Sequence, residues 1–103
     1  MRRNRIHDGK ENGIVVYENG QGTFEENEIF GNDSSGIVVA GGGNPTMRRN
    51  RVISNNFEAV WVYDNGKGTF EDNDLRGNIR GSWNIDEGCE VQRARNREDK
   101  PAK

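Results

Sequence analysis

A 23-residue period, strand-length apolar segments separated by Gly, Asn, Asp and Ser, and one asparagine at the same place in every period together predict an all-β chain. The predicted architecture is a right-handed single-stranded parallel β-helix of about four 23-residue coils. Asn4, Asn27, Asn50, Asn73 and Asn96 mark the period. The same register stacks Ile6, Ile29, Val52 and Leu75, then Ile14, Ile37, Val60 and Trp83, then Val16, Val39, Val62 and Ile85. A further column of Met1, Phe24, Met47 and Phe70 ends at Arg93. These columns set a repeat region at residues 1–91, followed at 92–103 by a partial coil and a disordered charged tail.

Each element of this prediction has a physical reason. A repeat of about two dozen residues cannot bury its own apolar side chains, whereas stacked copies enclose a continuous apolar column. A leucine-rich repeat has a similar length, but its LxxLxL spacing is missing, and β-branched residues and Asn fill the columns. An asparagine at a coil corner can donate its amide to one neighbour and accept from the other, because strands lie about 4.8 Å apart. Gly9, Asn32, Asn55 and Asn78 share another column and are expected to sit at a turn with positive φ. A 46-residue period overlies the shorter one, since Met1-Arg2-Arg3-Asn4-Arg5 returns as Met47-Arg48-Arg49-Asn50-Arg51. Stacked positions then read Arg2, Glu25, Arg48, Glu71 and Arg5, Glu28, Arg51, Asp74, Arg97, so opposite charges face each other and penalise slippage by one coil.

Composition narrows the function. With 103 residues and 30% hydrophobic content, a conventional single core is disfavoured. The net charge of −2, from interleaved acids and bases, gives no field to attract a nucleic acid. No apolar run approaches the roughly 20 residues that cross a bilayer, so no membrane partner is expected. One cysteine and a polar segment at residues 1–10 lead to the expectation of a cytoplasmic chain.

The blocks NRIHDGKENGIVVYENGQGTFEENEIFGN and NPTMRRNRVISNN resemble parallel β-helix repeats of the carbohydrate-binding and sugar-hydrolase type, as found in F-box-only substrate receptors of ubiquitin ligases. The resemblance covers residues 1 to about 91 and implies a recognition domain for a protein or polysaccharide partner. An F-box segment and a Cys/His cluster for a zinc finger are absent from this sequence, with Cys89 and His7 standing alone, so the chain by itself should not assemble a ligase.

Enzymes of this architecture need carboxylates converging on one outer face. The nearest set is Glu18, Asp64, Asp86 and Glu87, with Gly41 interrupting the Glu18 to Asp64 column. Turn carboxylates are the simpler reading, so no catalytic residue, metal ligand or cofactor is assigned. His7 is expected to be partly packed, Ala40 to Asn44 to form a wide turn, and Cys89 to replace a turn glycine. If the three apolar columns point inward, alternation turns Val15, Val38 and Trp61 outward, with Tyr17, Ala40 and Tyr63 beside them. Val15, Tyr17, Val38, Trp61 and Tyr63 are therefore the candidate binding residues, with stabilisation of cross-strand pairing as the alternative role of the same side chains.

Three functional readings follow: a non-catalytic recognition or scaffold module, part of a carbohydrate-active β-helix enzyme, and an element that self-associates end to end. Met1 aligns with Met47 and nothing stands in for Thr46 ahead of it, which suggests an internal repeat methionine of a longer protein.

Overall fold

The computed structural model describes residues 4–98, all of which lie in strands, turns and connections with no helix among them. Each coil supplies short strands to three sheets, and every strand pairing is parallel with a 23-residue offset. The first sheet comprises β1 (Arg5–His7), β4 (Glu28–Phe30) and β7 (Arg51–Ile53). The second comprises β2 (Ile14–Val16), β5 (Ile37–Val39), β8 (Val60–Val62) and β10 (Trp83–Ile85). The third comprises β3 (Gln21–Glu25), β6 (Asn44–Arg48), β9 (Lys67–Glu71) and β11 (Glu90–Ala94). In the fourth coil the first sheet is reduced to single bridges from Asp74 to Arg51 and Arg97. The three sheets wrap a prism of 34 × 27 × 27 Å.

The inward columns are those the period defines. Ile29, Val52, Leu75, Ile37, Val60, Val39, Val62, Met47 and Phe70 are all 0% exposed. Neighbouring rungs present β-branched or similarly sized side chains at one height, which close-packs the interior without a globular core. At the far end Trp83 and Phe70 pack with perpendicular rings, their centroids 5.3 Å apart, and the Arg93 guanidinium lies 5.1 Å from the Trp83 ring centroid. A cation thus partly covers the end of the aromatic stack. The order also continues past residue 91, because β11 runs to Ala94 and Asn96 accepts from the Asn73 main-chain N–H at 3.0 Å. Met1, expected to open the fourth column, and residues 99–103 of the expected tail lie outside the described residues.

The asparagine seam forms as predicted. At each step the main-chain N–H and the side-chain amide both reach the Oδ1 of the next coil, as in Asn27 to Asn50 at 3.0 and 2.9 Å. The amides of Asn50, Asn73 and Asn96 also donate to the Phe24, Met47 and Phe70 carbonyls. Asn27, Asn50 and Asn73 are 1% exposed, so the seam pairs polar groups in a site where loss of a partner is costly.

The column Gly9, Asn32, Asn55, Asn78 corrects an expectation. It is a second buried ladder: Asn32 donates to Asn55 Oδ1 at 3.1 and 2.9 Å, and Asn55 to Asn78 Oδ1 at 3.0 and 2.8 Å. Positive φ falls one residue earlier, at Asp8, Gly31, Ser54 and Gly77. Between the second and third sheets the chain turns through two consecutive positive-φ residues, Glu18-Asn19, Gly41-Gly42 and Asp64-Asn65, closed by 2.9–3.0 Å bonds from Gly20, Gly43 and Gly66. These are type I′ turns, which require that backbone. A Cβ on Gly66 would meet the Val39 carbonyl at 2.7 Å. Cys89 occupies the equivalent place in the last coil, where only Gly88 has positive φ and the closing bond lengthens to 3.3 Å.

Candidate functional site

The outer face of the second sheet carries the candidate binding residues. In register, Val15 pairs with Val38 and Val38 with Trp61, while the residues after these strands, Tyr17, Ala40 and Tyr63, continue the same face. Val15 and Tyr17 are 48% and 57% exposed. Trp61 and Tyr63 are half-buried and stacked on each other, with centroids 4.3 Å apart and ring planes inclined by 27°. Val38 departs from expectation: it lies on the outer side of β5 but is only 2% exposed, and Ala40 is 7% exposed. Alternation fixes which side a residue faces, but not whether larger neighbours about 4.8 Å away close over it. Val38 lies between Val15 and the bulky Trp61 and outside the interior cluster, so its cover is on the outer face. Four residues therefore form the accessible patch, with Val38 and Ala40 as its floor. Asn84 and Asp86 on the next rung border it with polar groups.

The carboxylates beside this patch have a local explanation. Glu18 and Asp64 take φ of 51° and 50° in the type I′ turns, are exposed, and lie two rungs apart, about 9–10 Å by strand spacing. Asp86 and Glu87 are exposed in the corresponding turn of the last coil. Among the described residues no group of three His, Cys, Asp or Glu side chains is placed to hold a metal ion. His7 stacks on Phe30 with centroids 4.9 Å apart and planes 6° from parallel, and its Nδ1 lies 2.7 Å from Asp8 Oδ2. Cys89 is half-buried against the interior cluster.

A second site lies at the corner between the third and first sheets. Within the predicted columns ion pairs join Arg5 to Glu28 at 3.5 Å, Glu28 to Arg51 at 3.7 Å and Arg48 to Glu71 at 3.9 Å, whereas Glu25 pairs with Arg49 and Asp74 with Arg76, outside their own columns. Sequence reading missed a third alternating column, Glu26, Arg49, Asp72 and Arg95, although the doublets Glu25-Glu26 and Arg48-Arg49 carry its signal. Arg95 grips Asp72 with two hydrogen bonds, at 2.9 and 3.3 Å. This hydrogen bonding holds the Asp72 carboxyl below the usual carboxylate range and raises Arg95 above its ordinary value. Asp74 is held low mainly by its hydrogen bond from Arg76 rather than by the Arg51 of its own column. Arg49, Arg51, Asp72, Asp74, Arg95 and Arg97 line a groove of about 430 Å³ here.

The sequence pattern of the right-handed β-helix region family matches residues 1–97. The chain belongs to the right-handed β-helix family. No curated protein and no solved structure matches it. Family membership gives this β-helix its coil architecture, while its exposed aromatic patch and charged corner are particular side-chain choices on that frame.

Proposed function

We propose that this β-helix is a non-catalytic recognition module, of the kind that serves as the substrate-binding part of F-box receptors, and that its partner is a protein seated on the second sheet. The observation that carries this reading is the cluster of Val15, Tyr17, Trp61 and Tyr63 on the outer face of a chain whose mean hydropathy is −1.06. An accessible apolar patch with aromatics and a polar border is the usual form of a protein contact. The mutual stacking of Trp61 and Tyr63 covers one face of each ring, which favours a protein contact over a sugar laid flat on both rings.

Tyr17→Ser tests the reading with least effect on folding, because Tyr17 is exposed. Affinity enrichment with the wild-type chain and with Tyr17→Ser should show a partner that the variant loses, while the two proteins melt within about 0.5 kcal/mol of each other. Retention of the same partner by Tyr17→Ser and Trp61→Ser alike sinks the proposal. A second reading is a portion of a carbohydrate-active β-helix enzyme, favoured by the exposed carboxylates Glu18 and Asp64 flanking the same patch. It predicts binding on a glycan array and turnover abolished by Asp64→Asn.

A further inference from the structure

The corner beside the asparagine seam alternates in sign coil by coil. Its successive rungs read Glu25-Glu26-Asn27-Glu28, Arg48-Arg49-Asn50-Arg51, Glu71-Asp72-Asn73-Asp74 and Ala94-Arg95-Asn96-Arg97. Every junction between them holds at least one ion pair: Glu25 with Arg49 at 3.1 Å, Arg48 with Glu71 at 3.9 Å, and Asp72 with Arg95 at 2.9 Å. Opposite corners attract and like corners repel, so the pattern selects which coil can follow which.

The last of these rungs is basic and only half used. Arg95 is bonded back to Asp72, whereas Arg97 forms no ion pair among the described residues. On each earlier rung the seam asparagine gives its main-chain N–H to the next Oδ1, yet the N–H of Asn96 has no such acceptor among the described residues. Among the described strands β11 pairs with β9 alone. Below this edge Trp83, Ile85 and Val91 are only half-buried.

We propose that the edge of β11 away from β9 accepts a β-coil whose corner is acidic-acidic-Asn-acidic, the pattern this chain carries at residues 25–28 and 71–74, and that it disfavours a second copy stacked head to tail. An acidic corner would face Arg95 and Arg97, supply the missing Oδ1 to Asn96 and cover Val91. A second copy would instead bring its Arg5, preceded in sequence by Arg2 and Arg3, over Arg95 and Arg97.

Two extended chains test this. Each carries a copy of residues 52–74 directly after Arg97 in place of residues 98–103, which keeps the 23-residue register. One retains the corner Glu-Asp-Asn-Asp, and in the other the copied coil bears Glu71→Arg, Asp72→Arg and Asp74→Arg. Hydrogen exchange of the β11 amides is compared with that of β6, which reports intact folding in both. The acidic corner should slow β11 exchange about tenfold or more over the natural chain, and the basic corner should leave it within about twofold. Equal slowing by both corners, or by neither, overturns the proposal, as does head-to-tail oligomerisation of the natural chain at low salt.

Discussion

Asn50 shows how much one side chain does in this fold. Its Oδ1 accepts from the N–H and the amide of Asn27, and its own amide donates to Asn73 Oδ1 and the Phe24 carbonyl. Asn50→Ala strands these groups in a site 1% exposed, and should cost about 2–4 kcal/mol in chemical denaturation. Asn96→Ala, at a half-buried rung with one fewer asparagine neighbour, should cost about 1 kcal/mol. Glycines divide in the same way. A Cβ on Gly36 would strike Val52 Cγ1 and approach the Asn55 amide at 2.9 Å and the Ala59 carbonyl at 3.0 Å, so Gly36→Ala should lose about 3 kcal/mol or more. Gly77 has open space around it and needs only its φ of 78°, so Gly77→Ala should lose about 1 kcal/mol. Thermal or urea melts of the pair separate crowding from backbone strain.

The charged corner makes a pH prediction at the level of the strand and its turn. Asp72 and Asp74 titrate lower when folded than when unfolded, so the stability they contribute is present above their ordinary value near 3.8 and fades as pH falls from there through the lowered folded values. Melting the natural chain and Arg95→Gln between pH 5 and pH 2.5 should show a smaller acid loss for the variant; identical profiles would remove Asp72 from the account. At this scale the sequence was legible in most of what period and alternation decide, the column Glu26, Arg49, Asp72 and Arg95 excepted. The 23-residue columns set the sheet register, the first asparagine seam and the inward residues. Three features escaped because they depend on neighbours rather than on pattern. Asn32, Asn55 and Asn78 suit either a turn or a ladder, and only their burial decides. Val38 faces outward but is covered, since the size of adjacent rungs sets exposure. Arg93 breaks an apolar column in sequence, yet its guanidinium lies over Trp83 and remains against the end of the stack.

Across the whole molecule, coils contact mainly the coils above and below, so stability is close to a sum of coil and junction contributions. The alternating corner makes the natural unit of that sum two coils rather than one. Inserting a 46-residue copy of residues 29–74 after Asp74 preserves alternation, whereas inserting the 23-residue copy of 52–74 sets acid on acid. The longer insertion should raise the melting temperature more than the shorter one, even after allowance for coil number, and the gap should close at high salt. The strand hydrogen bonds all join one coil to the next, and this has a mechanical consequence. Tension applied between Asn4 and Glu98 would peel coils from an end in sequence, instead of shearing a whole sheet at once. Each released turn frees 23 residues, so a single-molecule extension trace should advance in steps of about 80 Å, and the rungs with the most direct ion pairs should be the slowest to let go.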